Sequence, residues 1–299
     1  MTPGRAADTW EQGDPYERYI GRWSRGIAVP FLAWLDRPGG QRWLDVGCGT
    51  GALSAAILER ASPKSLVGVE PSTGFLELAA RHLGGRASLR AGSAAALPVE
   101  SRTCDVVVSG LVLNFVADLP AAMSEMRRVT VPGGTVAAYV WDYADRMEII
   151  RHFWDAAASL DHAAAQGHEA ARFPLCHPSA LRSAFEQAGL VEVETTSLEL
   201  SAEFADFEDY WQPFLGGQGP APAYAMSLPP ERRAALRARL QSALPAAAGG
   251  ALTLRAGAWA VRGVSRSDAR GAHPMRADPD ASRRAALPRA CCNPIAHEP

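Results

Sequence analysis

Between Pro15 and Asp36 apolar side chains recur at steps of three and four (Tyr16, Tyr19, Ile20, Trp23, Ile27, Phe31, Leu32 and Leu35), which predicts an amphipathic helix that ends at Pro38, Gly39 and Gly40. The pattern then changes period. Arg42 to Val46 reads as a strand, Gly47 to Gly51 as a glycine-rich turn, and the next helix carries Leu53, Ile57 and Leu58 on one face. A second unit repeats the first: strand Ser65 to Glu70, Ser72 placed to cap, a helix with Phe75, Leu76, Ala79 and Leu83 inward, and a stop at Gly84 and Gly85. Short apolar runs at Ala87 to Ala91, Cys104 to Ser109 and Thr135 to Trp141 predict three more strands, with a helix over Leu119 to Val129 between the last two. Strands apolar on both faces and separated by helices belong to a parallel sheet covered on both sides, so the fold class is α/β, doubly wound.

Beyond Trp141 the periodicity predicts helices over Asp145 to Ala165 and His177 to Ala188, then strands over Val191 to Leu200 and Ala251 to Gly263. Together these make a mostly parallel, seven-stranded sheet that closes late. Between the last two strands, Phe204, Phe207, Trp211 and Phe214 fall at the spacing of one helical face, Gly216 to Pro222 reads as a loop, and Pro229 and Pro230 open a helix with Leu236, Leu240 and Leu244 aligned. The expected organisation is a flexible N-terminus over 1–14 and one domain over 15–263. That domain has its core at about 41–142 and helical lid insertions at about 145–188 and 201–250. After Gly263 apolar periodicity stops and Arg, Ala, Pro, His, Ser and Asp dominate, so 264–299 is expected to be a disordered tail.

The chain has 299 residues, 47% hydrophobic, with a net charge of −2, which is enough for one large core and gives no general attraction to polyanions. Nucleic acid and anionic membrane surfaces are therefore not expected partners. No stretch approaches the roughly 18–20 apolar residues of a membrane span. Five cysteines, Cys48, Cys104, Cys176, Cys291 and Cys292, show neither metal-ligand spacing nor a disulfide framework. No metal is expected, and the expected compartment is the cytoplasm.

The chemistry-bearing feature is Leu44-Asp45-Val46-Gly47-Cys48-Gly49-Thr50-Gly51, which ends one strand and opens a helix. Glycines let the backbone approach a ligand, and Glu70, closing the neighbouring strand, places a carboxylate where it can accept both hydroxyls of a ribose. Gly47, Gly49 and Ala52 also satisfy the relaxed dinucleotide pattern, so an NAD(P)-dependent oxidoreductase is an alternative on the pattern alone. Asp45, the extra Gly51 and the later turn Val131-Pro132-Gly133-Gly134 distinguish the two.

With those residues the chain resembles the class I S-adenosylmethionine-dependent methyltransferases, specifically the small-molecule group called type 11, over roughly Tyr16 to Gly263. The resemblance implies S-adenosyl-L-methionine as cofactor, with Asp45, Gly47, Gly49 and Gly51 beneath its methionine part, Glu70 on the ribose and Pro71 against the adenine. Where the family often has Gly-Asp-Ala, this chain has Gly92-Ser93-Ala94, and Ser93 and Ala94 take the adenine-side positions. Ser109 to Leu111 matches the stretch under the sulfonium. Tyr19-Ile20-Gly21-Arg22-Trp23-Ser24 resembles the group's cofactor-covering helix, where Arg22 would pair with the methionine carboxylate.

A methyl group on a sulfonium is already electrophilic, so the resemblance implies a protein that aligns a small-molecule acceptor and excludes water, with the two insertions as lids. Asn114, Asp142, Tyr143, His152 and His177 lie in segments that can face an acceptor, but none has a visible partner, so no catalytic residue is assigned. Cys48 reads as packing, and the aromatic stripe from Phe204 to Phe214 reads as core rather than pocket. A non-catalytic S-adenosylmethionine-binding protein is the third reading. The acceptor and the oligomeric state stay open.

Overall fold

The computed structural model describes residues 20–216, 219–245 and 250–266. The expected contributions of Tyr16 and Tyr19, the 1–14 segment, Cys291 and Cys292 lie outside the described residues; the tail expected over 264–299 starts too early, because the last strand continues through Ser265, and its residues from 267 on also lie outside the described ones. The elements run α1 (Arg22–Leu35), β1 (Arg42–Val46), α2 (Ala52–Arg60), β2 (Ser65–Glu70), α3 (Thr73–Leu83), β3 (Ser88–Ala91), β4 (Cys104–Gly110), α4 (Leu119–Val129) and β5 (Thr130–Trp141). They continue with α5 (Glu148–Leu160), α6 (Glu169–Arg172), α7 (Pro178–Gln187), β6 (Leu190–Phe204), α8 (Phe207–Trp211), α9 (Pro220–Ser227), α10 (Pro230–Ala243) and β7 (Leu252–Ser265). All of these elements belong to one compact unit.

The strands form one seven-stranded sheet in the order β3-β2-β1-β4-β5-β7-β6. The first five are mutually parallel, and β7 runs antiparallel between β5 and β6. This is the expected doubly wound, mostly parallel sheet, with its winding reversed between β1 and β4. The pleat sorts the core into two layers. On β5, Ala137, Tyr139 and Trp141 pack with α1 and α2, whereas Val136, Ala138 and Val140 pack with Met123 and Met126 of α4 and Phe185 of α7.

Local chemistry sets the boundaries that hold the site. Ser72 caps α3 by accepting from the Phe75 amide at 3.3 Å, and Gly84 closes it in the left-handed region. Asp118 caps α4 through the Ala121 amide at 2.9 Å. Strand β5 starts five residues before the expected Thr135, because Thr130 already pairs with Cys104 before a register shift. The expected helix over Asp145 to Ala165 divides, ending at Leu160 before a short 3-10 segment, His162–Gly167.

The reading of Phe204, Phe207, Trp211 and Phe214 as one helical face is corrected. Phe204 is the last residue of β6, paired with Leu252, and Asp206 then opens α8 by accepting from the Asp209 amide at 2.9 Å. The four side chains still join the core: Phe204, Trp211 and Phe214 are buried, and Phe207 packs against them. Among the described residues no helix is long and apolar enough to cross a membrane.

Candidate functional site

In an open α/β sheet the carboxyl ends of strands on either side of a winding reversal splay apart and leave a crevice. Here that crevice is a cavity of about 500 Å³ reached by the ends of β1, β2, β4 and β5, with Ile20 and Ser24 closing one side. The glycine turn after β1 forms its floor. Gly47 has φ +71, and a Cβ there would stand 2.6 Å from Val112 Cγ1, so only glycine fits. Gly49 has φ +53, and a Cβ would meet nothing within 4 Å, because it would enter the cavity. A Gly47→Ala variant is expected to lose about 1–3 kcal/mol of stability from the overlap and the backbone strain. In chemical denaturation, a second change, Val112→Ala, should restore part of that loss; no recovery would put the cost elsewhere.

The turn's amides decide what it can bind. Gly47 and Cys48 both donate to the Val69 carbonyl, at 2.8 and 3.1 Å, and Gly51 donates to the Cys48 carbonyl at 2.9 Å. Gly49 donates to Glu70 Oε2 at 3.1 Å. These four N–H groups are spent inside the protein, so they do not form the anion cradle that a pyrophosphate needs. The dinucleotide alternative loses its main support on that geometry.

Glu70 is buried at the end of β2 with its second oxygen accepting from the Ser72 amide at 3.0 Å. Burial raises its pKa, and the two backbone N–H bonds pull it back down. The remaining lone pairs are available to hydroxyl donors. Asp45 is buried as well: Oδ2 accepts from Ser54 Oγ at 2.7 Å, while Oδ1 is buried without a hydrogen-bond partner. Desolvation pushes its pKa up to about 7, against the Ser54 hydrogen bond and with help from the Glu70 charge. A buried carboxylate with one oxygen unpartnered, on a residue that lines a cavity, suits a cationic or donor-bearing ligand.

The cavity's other charged lining residue is Asp118, and among the described residues no Arg, Lys or His lines it. An S-adenosylmethionine, cationic at sulfur and at its amino group and carrying a ribose diol, fits this donor set. Pro71, Ser93, Ala94 and Leu111 line the cavity. Ser93 Oγ also accepts from the Ala95 amide at 3.2 Å, which holds its short turn in place.

Three expected cofactor contacts are corrected. Arg22 does not line the cavity; its guanidinium bonds Asp209 at 3.0 Å and stacks over Trp23 and Phe204 at 4.4 and 4.7 Å. The Asp209 charge and two aromatic faces hold it on the α8 side. Gly51, at φ +90, abuts α3, where a Cβ would lie 3.3 Å from Leu83, so its role is packing. Ser109 is fully buried and donates to the Val46 carbonyl at 2.9 Å, tying β4 to β1. An Arg22→Ala variant should bind S-adenosylhomocysteine within twofold of the parent and melt roughly 2–4 °C lower. A tenfold affinity loss by calorimetry would return Arg22 to the site.

Of the acceptor-side candidates, Tyr143 lines the cavity, and Asn114, Asp142, His152 and His177 do not. Asp142 is spent on Arg146 at 2.8 Å and the Asp145 amide at 3.1 Å. Asn114 donates to Cys176 Sγ at 3.6 Å. Tyr139, Trp141 and Phe115 line the cavity without having been singled out in the sequence. Their signal was present: Tyr139, Trp141 and Tyr143 alternate along and just past one strand, so they share a face.

Known proteins match this site. Residues 44–138, which contain the glycine turn, Glu70 and most of β5, match the family described as methyltransferase domain. The chain is 31% identical over 132 residues to malonyl-[acyl-carrier protein] O-methyltransferase of Serratia marcescens, covering 44% of this chain and 48% of the relative. It is 34% identical over 110 residues to demethylmenaquinone methyltransferase of Symbiobacterium thermophilum, covering 35% of this chain and 44% of the relative. The chain thus spans about half the length of these curated relatives. In fold it is similar to phosphoethanolamine N-methyltransferase 2 of Haemonchus contortus, with TM-score 0.52 and 16% identity over 85% of this chain and 56% of that one. Residues 44–138, which hold the glycine turn and Glu70, are thus similar to a methyltransferase domain.

Proposed function

We propose that this protein transfers a methyl group from S-adenosylmethionine to a small-molecule acceptor. The observation that carries this reading is the pair of buried carboxylates at the ends of adjacent strands. Glu70 is aligned by Gly49 and Ser72, and Asp45 leaves one oxygen without a partner. Glu70 would hold the ribose hydroxyls, Asp45 the cationic methionine end, and Pro71, Ser93 and Ala94 the base.

The cofactor, when bound, supplies an electrophilic methyl group. Held by Glu70 and Asp45, it would offer that methyl to an acceptor's lone pair and keep the carbon–sulfur bonding electrons on its own sulfur. The chain's contribution is alignment and exclusion of water: α1 closes one side through Ile20 and Ser24, and β5 presents Tyr139 and Trp141. The insertions at about 145–188 and 201–250 are proposed as lids. Phe173 of the first supports this, packing 5.0 Å from Phe115 and 5.9 Å from Tyr143, both of which line the cavity. The free buried thiols Cys48, Cys104 and Cys176 support a reducing, cytoplasmic setting.

Calorimetric titration with S-adenosylhomocysteine, with NADH as control, tests the reading. Binding of the first alone is expected. Binding of NADH alone would establish the oxidoreductase instead, and binding of neither would end the cofactor assignment.

A further inference from the structure

Resting on the methyltransferase reading, we infer that Asp118 selects the cofactor's base: one of its carboxylate oxygens accepts from the exocyclic amino group of the adenine, so the site prefers an amino-purine to an oxo-purine. The ribose position fixes where that base lies. Glu70 ends β2 opposite Ala91 of β3, and Gly92 donates to the Glu70 carbonyl at 3.2 Å, so the loop after β3 begins beside the residue assigned to the ribose. That loop brings Ser93, Ala94 and Ala95 to the cavity, and the segment leading into α4 brings Val116, Ala117 and Asp118.

The two segments lie against each other. Leu97 donates to Glu125 Oε2 on α4 at 2.8 Å, and its carbonyl accepts from Arg128 at 3.2 Å. Nearer the cavity, Ala94, Val116 and Leu119 pack on one apolar cluster. A base extending outward from Glu70 therefore enters between them.

An adenine brings a donor to this place, and the other acceptors here are already engaged. Ser93 accepts twice, with Oγ from the Ala95 amide at 3.2 Å and with its carbonyl from the Ala96 amide at 3.0 Å. Its hydroxyl keeps a proton to donate, which suits a ring nitrogen better than an amino group. Ser72 Oγ accepts from the Phe75 amide, and both Glu125 oxygens accept from Arg128. Asp118 differs from all of these. Its Oδ1 accepts from the Ala121 amide at 2.9 Å, which fixes the carboxylate at the head of α4 and leaves Oδ2 for a ligand. Asp118 is exposed, so the bond forms at the cavity's mouth, where an amino group gains a charge-assisted partner. An oxo-purine would set a carbonyl oxygen against that carboxylate, two acceptors with no proton between them.

The test titrates the full chain calorimetrically with S-adenosylhomocysteine and with its deaminated analogue, S-inosylhomocysteine. The parent is expected to bind the amino form at least tenfold more tightly. Asparagine caps a helix as well as aspartate does, so in Asp118→Asn the Oδ1 keeps the Ala121 bond and the N–H₂ turns toward the base. There it opposes an amino group and suits a carbonyl, and the preference should fall at least tenfold, to parity or below. Asp118→Ser keeps a cap with no second group for the base, and its preference should fall at least fivefold. Each ratio compares two ligands on one protein, so any loss of folded fraction cancels out of it. A parent that binds the two forms equally, or a preference that persists in both variants, overturns the inference. Failure of S-adenosylhomocysteine to bind the parent at all is a different result, because it removes the cofactor reading and this inference with it.

Discussion

Replacing Glu70 by alanine is expected to weaken S-adenosylhomocysteine binding by about 1.5–3 kcal/mol, roughly ten- to a hundredfold in Kd. The size follows from what the carboxylate does in the structure. Each oxygen already accepts one backbone N–H, from Gly49 and from Ser72, so the group is fixed before any ligand arrives. A ribose diol would then gain two charge-assisted bonds without any reorganisation of the protein. Stability should respond less than affinity. Two amides lose their acceptor, but a carboxylate whose burial raises its pKa is also removed, and the two effects oppose one another. Glu70→Gln separates them, because it keeps the shape and one acceptor oxygen while turning an N–H₂ toward one of the amides. Calorimetry with all three proteins should give the order Glu, then Gln, then Ala. Unchanged affinity in Glu70→Ala would mean that the ribose lies elsewhere.

Glu70 was legible in the sequence, and the reason separates it from residues that were not. Strand β1 lies at Arg42–Val46 and helix α4 at Leu119–Val129, both at the expected residues, because short-range chemistry marks their ends. Gly47 needs positive φ just after β1, and Asp118 caps α4 from the adjacent position. Asp45, Gly47, Gly49 and Glu70 follow from those boundaries, since the crevice opens at the carboxyl ends of β1 and β2. Arg22 does not follow from them. Its direction is set by Asp209, 187 positions away, and by the Phe204 ring, neither of which its own helical period can reveal. Ser109 was misplaced by one step of the pleat: it faces the Val46 carbonyl, and the backbone reaches the cavity at Gly110 and Leu111. The aromatic stripe failed for another reason. Phe204 and Phe207 have helical spacing, but the long pairing of β6 with β7 carries the strand through Phe204 and overrides it.

Asp45 carries the other large effect, and it should appear as a pH dependence of opposite sign in binding and in stability. Its pKa, pushed up to about 7, means that the ligand-free protein holds the neutral acid below neutrality and a desolvated anion above it. A cationic ligand needs the anion, so affinity for S-adenosylhomocysteine, whose amino group stays charged over this range, should be flat near pH 8. Below about pH 7 it should fall by up to about tenfold per pH unit. Stability runs the other way. The folded pKa lies above the unfolded value of about 3.9, so this group's contribution is fully present below pH 4 and is lost as pH rises through about 7. Asp45→Asn removes the titration and keeps an oxygen to accept from Ser54 Oγ, which now bonds Oδ2 at 2.7 Å. The ligand-free variant should therefore be more stable than the parent at pH 8, by about 1–3 kcal/mol in urea denaturation, with the difference shrinking below pH 7 and vanishing toward pH 4. It should also bind S-adenosylhomocysteine at least tenfold more weakly at pH 8 and show no rise in affinity between pH 6 and 8. If the variant is destabilised at every pH yet binds normally, Asp45 is a structural anchor for Ser54 and the cation is held by something else. If affinity of the parent is independent of pH while the stability difference appears as described, the carboxylate titrates in the cavity but does not touch the ligand.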